Sequence, residues 1–194
     1  MKKLLFVLLL TPVLATAQLR DSVKINAGIY EAIYSEKLES PLLVKYTVLC
    51  PNGTTSRAGM DFYTNDSVKT SSNEDYVKNE WDKGHMAPAA DFNCDKEMLY
   101  KTFSYLNCAL QNQYLNRGVW RMLELQEREY AKKEPTTVII KVVFSKTSYK
   151  LPTGATVPDG FFKIIQLEKS GKTIKFYFPN ITPTKEKYTD YEVK

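Results

Sequence analysis

The sequence predicts an α+β fold with a mostly antiparallel sheet. Segments rich in β-branched and aromatic residues cluster in two groups, one before residue 51 and one after residue 135. Polar stretches and helical patterns lie between the two groups, so strands and helices do not alternate along the chain. Regular alternation would indicate βαβ units and a parallel sheet, whereas this order favours antiparallel pairing. The length of 194 residues suits a single domain.

The strands are predicted from their content of β-branched and aromatic residues. They are expected over residues 28–35, 42–50, 136–144, 161–167 and 173–178. A Pro-Asn-Gly turn at 51–53 ends the second strand, and the polar residues 64–75 are expected to form a loop.

Helices are predicted in the middle of the chain. A short helix is expected over 95–100, followed by a short strand over 103–107, and the clearest helical pattern covers 116–133. Apolar side chains recur on this last segment at helical spacing, which is typical of a helix packed on a core. They are Val119, Trp120, Met122, Leu123 and Tyr130.

The N-terminal segment is expected to lie outside the fold. Lysines at 2–3 precede an apolar run at 4–10, and Ala-Thr-Ala at 15–17 is a typical cleavage site of a signal peptide. The apolar run is too short to make a good transmembrane helix, so an uncleaved anchor is the weaker alternative. We therefore predict a signal peptide over 1–17, one domain over 18–194, and a secreted or periplasmic protein without stable membrane association after cleavage.

Composition excludes several classes of protein. Hydrophobic residues make up 43% and charged residues 25%, which excludes disordered and fibrous chains. Without residues 1–17 the net charge falls from +5 to +3, a mild basic excess that permits a polyanionic partner. The only histidine is His85, which excludes any site that needs two imidazoles.

Three cysteines leave the redox arrangement open. Cys50, Cys94 and Cys108 contain no Cys-x-x-Cys pair. One disulfide with one spare thiol, or three buried thiols, is expected, and a zinc site made of the three thiolates and His85 is the weaker alternative. The sequence does not choose between these arrangements.

His85 is a candidate general base. It follows Asp82, Lys83 and Gly84, and the glycine allows a close approach of the backbone at a strand or turn end. A neutral imidazole can take a proton from water without a second histidine. The alternative is a structural or merely exposed histidine.

Asn116, Trp120 and Glu124 recur at i, i+4 and i+8 and are expected on related faces of the long helix. The amide oxygen of Asn116 and the carboxylate oxygens of Glu124 are hard donors of the kind that Mg²⁺ prefers. The alternative assigns Asn116 to a helix cap, Trp120 to the core and Glu124 to the solvated surface. Arg57 could bind a phosphate oxygen, and its alternative is a plain surface arginine.

Five segments together resemble the DNA/RNA non-specific endonucleases, the ββα-metal nuclease family that includes endonuclease G. Residues 82–92 are similar to its DRGH segment, 103–111 to the segment ending N-x-x-P-Q, and 115–124 to its L-N-x-x-x-W-x-x-L-E helix. Arg57 with the Asp-Phe pair at 61–62 resembles R-x-x-x-D/R-F. Residues 157–163 resemble V-P-x-x-F-F-K. The resemblance spans about residues 28–180 and implies a ββα active-site motif.

The resemblance also implies roles for site residues. His85 would be the general base, Asn116 the direct ligand of Mg²⁺, and Glu124 the residue that holds a metal-bound water. Asn107 would help to shape the site. Arg57 would stabilise the pentacovalent phosphate. Lys83 stands with Arg57 among the candidate substrate-binding residues.

The implied function is hydrolysis of DNA, and by extension RNA, with low sequence specificity and with Mg²⁺ or alternatively Mn²⁺. DNA and RNA are the expected partners, and a homodimer is compatible with the sequence. Lys83 and Leu110 stand where the family has Arg and Pro, and the chain ends at Lys194, where relatives usually carry a further element. Lys83 and the short C-terminus motivate the alternative of a catalytically inactive nucleic-acid-binding relative.

Overall fold

A seven-stranded antiparallel sheet forms the body of the protein. The structure is a computed structural model that describes residues 19–194, so the predicted signal peptide lies outside the described residues. The strand order is β1-β2-β3-β6-β7-β8-β9, with every neighbouring pair antiparallel. The strands are β1 (Val23–Asn26), β2 (Tyr30–Ser35), β3 (Ser40–Thr47), β6 (Thr136–Val143), β7 (Gly160–Leu167), β8 (Lys172–Pro179) and β9 (Glu192–Val193). The predicted α+β class with a mostly antiparallel sheet is confirmed.

One face of this sheet carries the main core. In β6 the side chains alternate, and Val138 and Ile140 are wholly buried. The register pairs Val138 with Ile165 of β7, which is also buried. This alternation is the pattern of a sheet with one covered face, and it explains why the strands of the C-terminal half follow from sequence.

A second, two-stranded sheet positions the site. It pairs β4 (Trp81–His85) with β5 (Cys108–Asn112) in antiparallel register, with Gly84 opposite Ala109 and His85 opposite Cys108. A Cβ on Gly84 would lie 2.5 Å from Gln111 Oε1, so only glycine fits here. The glycine therefore permits the close strand pairing that ends at His85.

A helical segment follows β5 directly and completes a ββα arrangement. It consists of α2 (Gln113–Leu115), a π-helical stretch (Asn116–Trp120) and α3 (Arg121–Ala131). The Asn112 side chain caps it by accepting from the backbone N–H groups of Tyr114 and Leu115. The helix therefore begins three residues before the predicted start, because Asn112 provides the cap.

The predicted strand over 103–107 is wrong. Ser104 accepts a hydrogen bond from the backbone N–H of Leu106, which starts a 3₁₀ turn over Tyr105–Asn107 and delays β5 until Cys108. The short helix is present as α1 (Lys96–Lys101), capped by Asp95. The remaining 3₁₀ turns are Asn73–Tyr76, Ala89–Asp91 and Tyr188–Tyr191.

The helical segment packs on the sheet through one large side chain. Trp120 is wholly buried, and its ring centroid lies 5.4 Å from Phe161 of β7 and 5.5 Å from Phe178 of β8. Leu123 joins this core, whereas Met122 is exposed, so its prediction as part of the apolar stripe is wrong. No helix within residues 19–194 is long and apolar enough to cross a bilayer.

The cysteines form one disulfide and one spare thiol. Cys50 and Cys94 are bonded to each other, and Cys108 is free and buried. The zinc alternative is wrong, because two of its four ligands are used in the disulfide.

Candidate active site

A cleft of about 910 Å³ lies where β4, the helical segment and residues 55–62 meet. Five of the six predicted site residues line it: Arg57, Lys83, His85, Asn116 and Glu124. The lining includes five basic side chains and two acidic ones, so the cleft carries a positive excess although the whole chain is only mildly basic. A positive cleft concentrates polyanions.

His85 ends β4 between aromatic rings. Its ring centroid lies 4.6 Å from that of Phe62 and 5.0 Å from that of Phe103. Its Nε2 atom is buried and has no hydrogen-bond partner among residues 19–194. Burial, with the positive charge of Arg57, lowers the pKa of His85 to about 3. The imidazole is therefore neutral at ordinary pH and able to accept a proton.

Asn107 lies behind His85 rather than in the cleft. It is wholly buried, and its Oδ1 accepts from the backbone N–H of Ala87 at 2.7 Å. Its Nδ2 donates to the carbonyls of Ala87 and Thr102, both at 2.9 Å. With its amide fully used, Asn107 fixes the backbone that follows His85. This placement matches a role in shaping the site and leaves Asn107 no contact with a substrate in the cleft.

The Asn116 amide is oriented by a carboxylate. Its Nδ2 donates to Asp82 Oδ2 at 2.9 Å, and Arg117 donates to the same carboxylate. Since the amide nitrogen is held by Asp82, the carbonyl oxygen remains available to the cleft. A neutral oxygen of this kind, with the Glu124 carboxylate lining the same cleft, suits a hard cation such as Mg²⁺. The donor set therefore fits the metal that the sequence predicts.

Glu124 is partly buried and lies on α3, eight residues after Asn116. Burial raises the pKa of Glu124 to about 7, with the nearby Glu127 acting in the same direction and Lys163 and Arg128 opposing them. A proton can therefore exchange at this carboxyl near neutral pH. The alternative of a fully solvated Glu124 does not hold.

Asn116 and Trp120 do not share a face, contrary to the i, i+4, i+8 prediction. Asn116 lines the cleft, whereas Trp120 is in the core. The helix is π-helical here, and Gly118 has non-helical angles of φ −99° and ψ −117°. Because the helix is interrupted at Gly118, α-helical spacing fails across this stretch. The alternative that placed Trp120 in the core is right, and the one that made Asn116 a cap is wrong because Asn112 is the cap.

The two predicted phosphate-binding residues differ in how free they are. Arg57 is exposed and forms no salt bridge with any residue of the described chain. Lys83 donates to Asp61 Oδ1 at 2.9 Å, and its ammonium lies 5.6 Å from the Phe62 ring centroid. Arg57 is thus available to a ligand, and Lys83 must share its charge with Asp61.

Sequence reasoning missed three arginines on the helical wall of the cleft: Arg117, Arg121 and Arg128. Arg128 donates to the buried Asp91 at 2.7 Å. The recurrence of arginine at 117, 121 and 128 was visible in the sequence. The directions of these three side chains were not visible, because the break in the helix at Gly118 decides which of them face the cleft.

Comparison with known proteins agrees with this geometry. A model of the DNA/RNA non-specific endonuclease family matches residues 15–194. The chain is 32% identical over 112 residues to mitochondrial nuclease EXOG of Danio rerio, covering 52% of this chain and 33% of the relative. It is 28% identical over 146 residues to mitochondrial endonuclease G of Bos taurus, covering 66% and 49%.

The fold also resembles a solved structure. A chain in the crystal structure of the EndoG/EndoGI complex superposes with a TM-score of 0.75 and 23% identity, covering 88% of this chain and 80% of that chain. The likeness supports the fold. The curated relatives are longer, and this chain spans between a third and a half of their length.

These relatives correct one prediction. The apolar N-terminal pattern predicted a secreted or periplasmic location. That prediction is wrong, because the relatives are mitochondrial nucleases. The pattern itself lies outside the described residues. Since the family match spans nearly the whole chain and the ββα arrangement carries the expected side chains, the chain belongs to the DNA/RNA non-specific endonuclease family.

Proposed function

We propose that this chain is a metal-dependent endonuclease that hydrolyses phosphodiester bonds of DNA and RNA with low sequence specificity. One observation carries the proposal: the neutral imidazole of His85 and the Asn116 amide line the same basic cleft. Family membership supports the nuclease class and the need for a metal. Three expectations from the sequence stay predictions: the signal peptide over 1–17, the single domain over 18–194 and the homodimer.

The basic residues of the cleft supply binding. The Arg57 guanidinium forms no salt bridge with any residue from 19 to 194, so it can bind two oxygens of one phosphate. Contacts to phosphates carry no sequence information directly. A cleft that binds mainly through arginines therefore predicts low sequence specificity, as proposed.

The chemistry follows from the groups beside the bound phosphate. His85 in its neutral form accepts a proton from the attacking water as the water oxygen bonds to phosphorus. The bond from phosphorus to the 3′ oxygen breaks, and that oxygen takes a proton from solvent. Asn116 would hold the metal through its carbonyl oxygen, with Asp82 fixing the amide. A bound Mg²⁺ would supply a Lewis acid beside the phosphate. Arg57 stabilises the negative charge that grows on the phosphate oxygens.

The alternative is a binder without catalysis. The observation in its favour is the ion pair of Lys83 with Asp61, which reduces the positive charge that β4 offers to a phosphate. Neutral His85 and the oriented Asn116 argue against it, because a binder needs neither a base nor a metal ligand.

A digestion assay tests the proposal. The protein is incubated with supercoiled plasmid and, separately, with a folded RNA, in Mg²⁺, in Mn²⁺ and in EDTA. We expect both nucleic acids to be cut with metal and left intact with EDTA, and His85→Ala to be inactive. Lys133→Gln, which removes an exposed charge outside the cleft, is the matched control and should cut normally. Binding of the plasmid without cleavage in any metal would instead establish the inactive relative.

A further inference from the structure

Arg121 has no role in the chemistry above, yet it lines the cleft. It is the first residue of α3, and it is exposed. It stands at one of the variable positions of the L-N-x-x-x-W-x-x-L-E pattern, so the family resemblance gives it no function. Its surroundings do.

Of the three arginines on the helical wall, Arg121 alone has an unused guanidinium. Arg117 donates to Asp82 at 2.8 Å, and Arg128 donates to Asp91 at 2.7 Å. The Arg121 side chain makes no hydrogen bond or salt bridge with any residue from 19 to 194. Its five N–H donors are therefore available to a ligand with anionic oxygens.

A break in the helix lies between Asn116 and Arg121. In a regular α-helix, five residues rotate by roughly 500°, which would leave Arg121 about 140° away from the direction of Asn116. Gly118 interrupts that rotation, because its φ of −99° and ψ of −117° are not helical. The Asn116 and Arg121 side chains both line the cleft.

The separation fits neighbouring phosphates of one strand. As a scale for their separation, five residues of regular α-helix advance by roughly 7 Å at about 1.5 Å per residue. Nucleotides advance by roughly 3.4 Å each along a strand of duplex DNA. A strand whose scissile phosphate lies beside Asn116 would therefore place a phosphate one or two nucleotides away within reach of Arg121.

We propose that Arg121 binds a backbone phosphate one or two nucleotides from the scissile phosphate, which makes the substrate a strand several phosphates long. This inference rests on the proposed function for the identity of the strand. The geometry that carries it is the shared cleft, which is lined both by the Asn116 amide and by the Arg121 guanidinium, unpaired among residues 19–194.

Equilibrium binding in EDTA tests Arg121 apart from cleavage. A fluorescein-labelled single-stranded DNA of twelve nucleotides is titrated with wild type, Arg121→Gln and Lys133→Gln over a range of salt concentrations, and anisotropy is recorded. We expect Arg121→Gln to weaken binding about five- to ten-fold and to reduce the slope of log K against log salt by roughly 0.7, the value for one contact to a single strand. Lys133→Gln should change neither quantity appreciably.

The outcomes separate the two proposals. Equal affinity and slope for Arg121→Gln and wild type would overturn the phosphate contact even if wild type cleaves plasmid. Failure of wild type to bind the oligonucleotide would overturn it as well. Loss of affinity and slope in Arg121→Gln, with no cleavage by wild type in any metal, would support the contact and refute the nuclease. Arg121→Lys should keep most of the slope, since it keeps the charge.

Discussion

The ammonium of Lys163 lies 2.9 Å from Glu127 Oε1, and both side chains are wholly buried. Lys163 is on β7 and Glu127 is on α3, so the pair joins the sheet to the helix that carries Glu124. The same ammonium lies 4.0 Å from the Trp120 ring centroid, and Tyr46 donates to Glu127 at 3.0 Å. The candidate site thus rests on a buried charge cluster.

Lys163→Met should destabilise the protein by roughly 3–5 kcal/mol, because it leaves Glu127 buried without its partner. Urea unfolding measures the loss. The double variant Lys163→Met with Glu127→Leu should recover much of it, since an apolar pair of similar size often matches a buried ion pair. A single variant no less stable than the double one would show that the pair is not coupled.

The sheet was largely predictable, and this pair was not. The β-branched and aromatic content of β6 and β7 predicted these strands, because such side chains suit a sheet with one covered face. Lys163 fitted a family pattern, but its partner Glu127 is 36 residues away in sequence. Burial of a charge depends on which elements meet in three dimensions, and local sequence does not contain that information.

Metal dependence should reveal the part played by Asn116. Asn116→Ala removes the only amide oxygen that the proposal assigns to the metal, so cleavage should vanish or demand far more Mg²⁺. Asp82→Asn should give a smaller increase, because it weakens the acceptor that orients the amide at 2.9 Å. Mg²⁺ titrations of plasmid cleavage measure both, with thermal melting as the control for folding. Unchanged Mg²⁺ dependence in Asn116→Ala would remove the residue from the metal site.

A general-base role for His85 should be visible in the rate of cleavage and in its pH dependence. A general base contributes roughly 10²- to 10⁴-fold, so His85→Ala should lose at least a hundredfold. Because the pKa of His85 is lowered to about 3, its ionisation should not appear between pH 5 and pH 8. Glu124→Gln removes the cleft carboxyl whose pKa is raised to about 7, and its residual rate should then be flat from pH 5 to pH 7, below the pKa of about 8 of the buried Asp91. A rise with a midpoint near pH 6.5 in Glu124→Gln would mean that His85 titrates normally.

The disulfide should stabilise the fold next to the segment of the cleft lining that contains Arg57. Cys50 and Cys94 are 44 residues apart, and loop-closure entropy for that length corresponds to roughly 4 kcal/mol. Cys50→Ser with Cys94→Ser should lose stability of that order in urea. Reductant should bring wild type to the level of this variant and leave the variant itself unchanged. Equal stability of the reduced and oxidised proteins would contradict the bond.

The site residues illustrate how far sequence can go. His85, Asn116, Glu124 and Arg57 were singled out because they stand in three segments that resemble family motifs, and all four line the cleft. Arg121 was not singled out, because its direction depends on the break in the helix at Gly118, which helical periodicity does not predict. Motif spacing identifies the chemistry, and local departures from regular geometry decide which further side chains join it.

Stability should fall in acid because His85 is held neutral. Its pKa is about 3 in the folded protein and about 6.5 in the unfolded chain, so below pH 6.5 only the unfolded chain gains the proton. The folded state should therefore lose about 1.4 kcal/mol per pH unit as the pH falls from 6.5 towards 3. His85→Gln cannot titrate and serves as the reference, since other groups cancel in the difference. Urea unfolding of both proteins at pH 6.5 and pH 4.5 should show wild type losing roughly 2–3 kcal/mol more than the variant. Parallel losses in the two proteins would mean that the pKa of His85 is not lowered on folding and that its imidazole is solvated.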